Sequence, residues 1–142
     1  MTIKAILGSK GASVVTLSAD ATVRDAVALL AERRIGAVPV MAGDTVAGIF
    51  SERDVIHCLQ RGGGAALDRS VREVMTTPVV TVGCDHPVIE ALALMTRCRI
   101  RHLPVIEDAA LIGFVSIGDL VKYRIDRIQA DAEAMRDYIQ SA

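Results

Sequence analysis

The chain has 142 residues, about the size of one domain, and its 16 basic and 17 acidic side chains give a net charge of −1. Hydrophobic residues make up 51% of the sequence, yet only 3% of residues are aromatic and none is tryptophan, so aliphatic side chains must fill the core. Balanced charge and few aromatic rings argue against a nucleic-acid-binding surface. Because no apolar run is long enough for a signal peptide or a membrane span, we expect a cytoplasmic protein that does not contact membranes.

The cysteines and histidines lack the spacing of a disulfide framework or a metal site. Cys58, Cys84 and Cys98 are odd in number and contain no Cys-x-x-Cys pair, and the three histidines form no His-Glu-x-x-His motif. An enzyme would also need a nucleophile with its base, or two positioned carboxylates. We therefore expect reduced thiols, no metal and no catalytic residues.

The sequence contains an internal repeat. A shift of 65 residues aligns residues 14–56 with residues 79–121 without a gap, and 15 of the 43 pairs are identical. Unrelated stretches of this composition would share about three. The identical pairs include Asp20/Asp85, Arg34/Arg99, Ile35/Ile100, Pro39/Pro104, Gly48/Gly113, Ser51/Ser116 and Asp54/Asp119. We interpret the repeat as a tandem duplication.

Each copy contains the same predicted series of elements. A β-branched run at residues 13–17, or 78–82, predicts a strand. Helical spacing of apolar residues follows, through Val23, Ala26, Val27 and Leu30 in the first copy and Val88, Ala91, Leu92 and Met95 in the second. Two apolar runs separated by turn residues then predict two strands, and a second helix begins after Ser51 or Ser116. The predicted fold class is α/β (α+β), with two tandem β-α-β-β-α motifs.

Three consecutive glycines lie between the copies, in the segment QRGGGAALDRS. No strand pattern precedes them and no Gly-Lys-Ser/Thr follows, which argues against a phosphate loop and favours a flexible linker. We expect the first motif at residues 1–61, the linker at 62–70 and the second motif at 71–142.

The second motif ends in a predicted long helix with a coiled-coil-like apolar stripe. Its apolar residues recur at steps of four and three, at Val121, Ile125, Ile128, Ala132, Met135 and Ile139. We expect this stripe to mediate a homodimer, because an exposed apolar seam is costly in water. The alternative is that the helix folds back on its own domain.

Both second helices start with the pattern Ser-x-x-Asp, in GIFSERD and GFVSIGD. The pattern is typical of a capping box, in which the serine hydroxyl and the aspartate carboxylate satisfy backbone N–H groups. It also suits a nucleotide, because a helix start attracts phosphate and a carboxylate accepts hydrogen bonds from a ribose diol. Local spacing does not choose between these alternatives.

The duplication, the segments RIGAVPV and RIRHLPV, and the two Ser-x-x-Asp phrases together resemble a tandem pair of CBS domains, the cystathionine-β-synthase-type regulatory (Bateman) module. The resemblance covers essentially the whole chain. It implies one pseudo-two-fold, disc-like unit with two clefts for adenosine-containing ligands such as AMP, ADP, ATP, NAD or S-adenosylmethionine. It also implies a stand-alone, non-catalytic sensor that signals occupancy to an unidentified protein partner. The alternative is a structural module in which both Ser-x-x-Asp pairs only cap helices.

The resemblance also implies roles for individual residues. Asp54 and Asp119 would hold ribose hydroxyls, and Ser51 and Ser116 would meet phosphate. Apolar side chains would surround the adenine, namely Val15, Val38, Ile49, Val80, Leu103 and Phe114. The remaining candidate binding residues are Lys10, Gly36, Ala37, Arg53, Arg101 and His102.

The two clefts are expected to differ. Relatives often carry a basic residue three positions before the strand proline, and here that position is Gly36 in the first copy and Arg101 in the second. Arg53 and Arg101 would give the Asp54 cleft a grip on phosphate and a preference for ligands such as AMP. We expect the Asp119 cleft to be roomier and less positive, with Lys122 and Lys10 as partial compensation. It would accept a bulkier ligand such as NAD or stay empty.

Overall fold

The computed structural model describes residues 1–11 and 13–141, and within them the chain forms six α-helices, five strands and a 3₁₀ helix at Gly63–Asp68. In chain order the helices and strands are α1 (Ile3–Lys10), β1 (Leu17–Ser18), α2 (Val23–Arg33), β2 (Ala37–Ala42), β3 (Thr45–Ser51), α3 (Glu52–Gly62), α4 (Val71–Val74), α5 (Val88–Cys98), β4 (His102–Glu107), β5 (Ala110–Ser116) and α6 (Ile117–Ser141). The predicted α/β fold class is confirmed.

The duplication is visible in the elements themselves. The bounds of α5, β4 and β5 are those of α2, β2 and β3 moved by 65 residues. Both antiparallel pairs, β2–β3 and β4–β5, shift register at the same place, between Val40 and Met41 and between Val105 and Ile106. The two motifs therefore have the same backbone arrangement, including the position of the register shift in the antiparallel strand pair.

The first strand of each motif is shorter than predicted. β1 has two residues and pairs in parallel with β2. The predicted second-copy strand at residues 78–82 is reduced to a bridge between Val82 and Val105. Two hydrogen bonds hold this bridge, from the Val82 N–H to the Pro104 carbonyl at 3.1 Å and from the Ile106 N–H to the Val82 carbonyl at 2.9 Å.

The predicted helical faces pack into two cores. Val23, Ala26 and Leu30 of α2 are buried in the first motif, and α5 buries the equivalent Val88, Ala91 and Met95 in the second. Both helices end at an arginine in the left-handed conformation, Arg34 with φ 53° and Arg99 with φ 56°. That conformation turns the chain sharply from each helix into the next strand.

Each core is completed by the helix that precedes the other motif. Ile3 and Ile6 of α1, at the start of the chain, lie in the core of the second motif. Val71 of α4, which precedes the second motif, lies in the core of the first. The motifs therefore exchange their leading segments, and neither core is complete without residues from both halves of the chain.

Two glycines permit this exchange. A Cβ placed on Gly48 of β3 would lie 2.6 Å from the Met75 sulfur and 3.0 Å from the Thr76 carbonyl oxygen. A Cβ on Gly113 of β5 would lie 2.5 Å from Leu7 Cδ2. The repeated glycine is thus required where the leading segment of the opposite motif crosses the strand.

The segment predicted as a flexible linker is ordered secondary structure. α3 continues to Gly62, and the 3₁₀ helix Gly63–Asp68 then packs Ala66, which is 2% exposed, into the first core. The glycines allow the tight turn, since Gly63 has φ 59°. The segment therefore positions α4 rather than separating two independent units.

The predicted C-terminal helix is present as α6, which has 25 residues. Leu120 is buried against the second motif and Tyr123 packs partly on it, while residues 124–141 are exposed. The helix projects from the body and does not fold back on it. Within the described part of the chain, no helix is long and apolar enough to cross a membrane.

We expect Gly48→Ala to lower the free energy of unfolding by about 1–3 kcal/mol, the usual cost of overpacking a filled site. Gly113→Ala should cost less, because its new methyl group would meet only the flexible end of Leu7. Gly64→Ala is the control, since nothing lies within 4 Å of the place its new methyl group would occupy. Urea unfolding of the three variants tests the ranking, which an equal loss at Gly48 and Gly64 would contradict.

Candidate functional site

Two cavities lie between the motifs, each at the start of one motif's second helix. The first has a volume of about 610 Å³ and contains the start of α3. Its lining includes residues of both motifs, namely Gly36, Ile49, Ser51, Glu52, Arg53, Asp54, Ile56, Thr76, Pro78, Val79, Val80, Cys98, Arg99, Ile100, Arg101 and His102. A ligand there would contact both halves of the chain.

The second cavity has a volume of about 400 Å³ and contains the start of α6. Its lining comprises Lys10, Ser13, Val14, Val15, Arg34, Ile35, Gly36, Ala37, His102, Phe114, Ser116 and Asp119. Gly36 and His102 line both cavities and so lie between them. The His102 and Phe114 rings stack with centroids 5.4 Å apart and planes 13° apart.

Both Ser-x-x-Asp phrases form capping boxes. At α3, the Ser51 N–H donates to Asp54 Oδ2 at 2.9 Å, and the Asp54 N–H donates to Ser51 Oγ at 3.4 Å. At α6, the corresponding distances for Ser116 and Asp119 are 2.9 and 3.1 Å. The capping geometry fixes each carboxylate at the mouth of a helix whose positive dipole end faces a cavity.

Backbone hydrogen bonds connect the start of α3 to the residue that precedes β2, and the start of α6 to the residue that precedes β4. The first N–H of α3, on Glu52, donates to the Gly36 carbonyl at 3.0 Å. The first N–H of α6, on Ile117, donates to the Arg101 carbonyl at 2.8 Å. Gly36 and Arg101 occupy equivalent positions in the two copies. Each is thus held against a helix start by the same kind of backbone hydrogen bond.

The two carboxylates have different neighbours. Asp54 Oδ1 accepts a hydrogen bond from Thr76 Oγ1 at 2.9 Å. Asp119 Oδ2 instead accepts one from Lys10 Nζ at 2.6 Å, and the same ammonium donates to the Phe114 carbonyl at 2.7 Å. A neutral hydroxyl therefore contacts one carboxylate and a cation contacts the other.

These surroundings shift the pKa values of two groups. Burial would raise the pKa of Asp119, but the hydrogen bond from Lys10 and the bonds from Ser116 outweigh burial and hold that pKa below its ordinary range. Burial lowers the pKa of His102 below its ordinary value of 6.5, and the charge of Lys10 lowers that pKa further. At neutral pH the second cavity thus contains an ionised carboxylate and a neutral imidazole.

The structure brings most of the predicted site residues together. Ile49, Ser51, Arg53, Asp54, Val80, Arg101 and His102 line the first cavity, and Lys10, Val15, Ala37, Phe114, Ser116 and Asp119 line the second. Val38 and Leu103 do not fit their predicted role, because both side chains are 0% exposed and lie in the two hydrophobic cores.

The predicted site residues did not include several residues that line the cavities, Thr76, Arg99 and Arg34 among them. Thr76 bonds to Asp54, and Arg99 and Arg34 line the first and second cavity. The identity of Arg34 and Arg99 in the two copies was a signal, but a position at a helix end explained it equally well.

The expected contrast between the clefts is wrong in one respect. The second cavity is smaller than the first, not roomier, and Lys10, His102 and Phe114 form part of its wall. More arginines do line the first cavity, namely Arg53, Arg99 and Arg101, against the single Arg34 in the second. Lys122 lies exposed on α6, so of the two lysines proposed as compensation it is Lys10 that lines the cavity.

We expect acidification to destabilise the protein partly through His102. Its pKa is lower in the folded chain, so the unfolded chain binds a proton first and the free energy of unfolding falls as pH drops below about 6.5 toward the lowered pKa. His102→Gln removes this contribution. Urea unfolding at about pH 7.5 and about pH 5.5 should therefore show a smaller fall for the variant than for the wild type. An equal fall in both proteins would contradict the assignment.

Comparison with known proteins identifies the fold. The family model of the CBS domain matches residues 9–61 and 71–126. The chain is 36% identical to the mitochondrial CBS domain-containing protein CBSX3 of Arabidopsis thaliana over 148 aligned positions, which span 98% of this chain and 72% of that protein. A crystal structure of a CBS-domain containing protein from Agrobacterium tumefaciens is 40% identical, with a TM-score of 0.83 over 87% of this chain and 92% of that one.

A more distant structure shares the fold. The CBS domain pair of protein MJ0100, crystallised in complex with 5′-methylthioadenosine and S-adenosyl-L-methionine, has a TM-score of 0.79 at 22% identity, over 89% of this chain and 98% of that one. The family model covers well over half of the chain in two consecutive segments that coincide with the internal repeat. The chain therefore belongs to the CBS domain family and contains a tandem pair of CBS motifs.

Proposed function

We propose that the chain is a non-catalytic sensor of adenine nucleotides, such as AMP, ADP, ATP or NAD, that acts in the cytoplasm and signals occupancy to a protein partner. One observation carries the proposal. The carboxylate of each Ser-x-x-Asp phrase lines a cavity that both motifs enclose. A ligand bound there would bridge the motifs, so its presence would change how they are held together.

The first cavity offers the groups that a nucleotide needs. The Asp54 carboxylate would accept hydrogen bonds from the ribose diol, while Arg53 and Arg101 would bind phosphate oxygens. Ile49 and Val80 provide apolar surface for the adenine ring. The cavity volume of about 610 Å³ is in the range of small-molecule sites.

Capping does not prevent Asp54 from binding ribose. An ionised carboxylate has about four lone-pair positions. Three donors from Ser51 and Thr76 occupy most of them and leave about one for a ribose hydroxyl, so the second ribose hydroxyl would take the place of one of the two side-chain hydroxyls. The capping box would then orient the carboxylate before the ligand arrives, which lowers the entropic cost of binding.

The structure of the MJ0100 domain pair supports the ligand class. That protein was crystallised with two ligands that share the adenosine group. Its fold resemblance to this chain favours adenosine as the nucleoside, and the carboxylate at the mouth of each cavity would bind the ribose. The phosphorylated state of the ligand is inferred from the arginines of the first cavity.

A structural module is the second candidate function. The observation in its favour is that both aspartates complete capping boxes, which by themselves account for a Ser-x-x-Asp pattern. The chain contains a matched reference for this alternative, because Thr22 and Asp25 form a third capping box at the start of α2. Asp25 is exposed and lies outside the cavity linings described above.

We expect AMP and ATP to raise the melting temperature of the wild type, since ligand at a hundredfold excess over Kd contributes about 2.7 kcal/mol. Asp54→Ala should weaken binding in the first cavity by roughly 1.5–3 kcal/mol, the size of lost hydrogen bonds to a charged group. Asp25→Ala should lose capping stability but bind normally. Thermal unfolding and calorimetry measure both effects.

Two results would contradict the sensor proposal. One is a melting temperature that millimolar AMP, ATP and NAD all leave unchanged. The other is that Asp54→Ala and Asp25→Ala lose similar stability while binding the nucleotide equally well, which would support the structural module.

We also propose that α6 pairs with α6 of a second copy. The stripe residues Val121, Ile125, Ile128, Met135 and Ile139 are all exposed in the single chain, and they follow alternating coiled-coil core positions. In a parallel pair, Asp131 of one copy would lie opposite Arg136 of the other, at flanking positions that set partner orientation. The opposite charges favour a second copy as the occupant of the stripe.

Light scattering should give twice the chain mass of 15.1 kDa for the wild type. Ile128→Glu places a charge in the centre of the stripe and should give a monomer. Ala130→Glu adds the same charge on the outer side of the helix and should leave the dimer intact. A monomeric wild type, or a dimer that both variants retain, would contradict pairing through α6.

A further inference from the structure

The two cavities use different donors at equivalent positions. In the first motif, the Thr76 N–H donates to the Ile49 carbonyl at 2.8 Å, and the Thr76 hydroxyl donates to Asp54 at 2.9 Å. The 65-residue shift places Phe114 at the position of Ile49 and Asp119 at that of Asp54. At that place one ammonium, that of Lys10, donates to both the Phe114 carbonyl and the Asp119 carboxylate. Lys10 therefore replaces two donors of Thr76.

The length of α1 explains this replacement. α4, the leading helix of the second motif, ends at Val74, and the chain then pairs with β3 through Thr76. α1, the leading helix of the first motif, has eight residues rather than four and continues to Lys10, where Gly11 ends it with φ 98°. The extra turn brings Lys10 over the second cavity. A cation at a helix C-terminus is also favoured by the helix dipole.

Lys10 and Asp119 form an ion pair whose ammonium can exchange Asp119 for another anion. The Lys10 side chain is 39% exposed and that of Asp119 is 28% exposed, and ion pairs open to solvent contribute little net stability. Lys10 is attached through four flexible methylene groups, so its ammonium can move without moving α1. The body of α1 is fixed independently, because Ile3 and Ile6 are buried in the second core.

The pair has opposite consequences for two kinds of ligand. Lys10 and the Ser116 N–H both donate to Oδ2 of Asp119, so a ribose diol that uses both carboxylate oxygens competes with Lys10 for Oδ2. An unphosphorylated nucleoside gives the displaced ammonium no new partner, whereas a phosphate offers it another anion within the same cavity. Arg34 adds a second positive charge to this lining.

We propose that Lys10 determines ligand specificity in the second cavity. When a ligand enters, the Lys10 ammonium leaves Asp119 and forms a hydrogen bond with the phosphate of the ligand. The cavity then selects phosphorylated adenine ligands against adenosine. This inference rests on the proposed nucleotide-binding function and adds to it a residue that lies before the aligned repeat of residues 14–56 and 79–121.

The test isolates the second cavity by using Asp54→Ala as the background, so that the first cavity no longer dominates the isotherm. AMP and adenosine are titrated by calorimetry into this protein and into the same protein with Lys10→Met, which keeps side-chain length and removes the charge. We expect AMP affinity to fall about tenfold or more, as for a lost charge-assisted bond, while adenosine affinity is unchanged or rises. Lys4→Met, an exposed lysine of the same helix, should change neither.

Each other outcome overturns the inference in a distinguishable way. Equal losses for AMP and adenosine would make Lys10 a structural residue, and equal gains would make it only an obstruction. If the wild type binds AMP but the Asp54→Ala background binds neither ligand, the second cavity is not a nucleotide site and the proposed function is restricted to the first. If the wild type binds neither ligand, the proposed function itself fails.

Discussion

The exchange of leading helices between the two motifs is the interaction on which the rest of this structure depends. α1 fills the core of the second motif and α4 fills that of the first, so the motifs are held face to face by buried side chains from both. The same crossing requires Gly48 and Gly113, because a methyl group there would overlap the crossing segment. It also delivers Thr76 and Lys10 to the two carboxylates. Core packing and site construction thus share one cause.

Much of the fold could be predicted because the duplication repeats the sequence pattern of each element in both copies. Apolar spacing gave the helices and their buried faces, and α5, β4 and β5 repeat α2, β2 and β3 at the predicted offset. The leading helices were not predicted, since they lie before the aligned segments and are short. Their buried residues Ile3 and Val71 are 68 residues apart rather than 65, which hides the equivalence. The glycine linker was misjudged because tertiary packing of Ala66 overrides a flexible composition.

The site was predictable where a residue's role follows from its own chemistry and less so where it depends on a neighbour from elsewhere in the chain. Ser51 and Asp54 act within one helix turn, so their sequence spacing was sufficient. The wall of the second cavity includes Lys10 and the His102–Phe114 stack. Lys10 is bonded to a residue 109 positions away, and the stack joins side chains of two paired strands. The orientation of Val38 toward the core depends on which strand face the opposite helices cover.

Gly36 and Arg101 occupy equivalent positions and make the same backbone hydrogen bond, but only Arg101 has a side chain that can contact a ligand. Arg101 lines the first cavity, and its backbone carbonyl accepts a hydrogen bond from the N–H of Ile117, the first residue of α6. A phosphate bound by that guanidinium would therefore act on a residue that is directly bonded to the start of the projecting helix. The equivalent Gly36 is bonded in the same way to Glu52 at the start of α3 but has no side chain to contact a ligand. Because α3 ends within the body of the protein and α6 extends beyond it, the cavity proposed to bind phosphate more strongly is also the one connected to the proposed dimer helix.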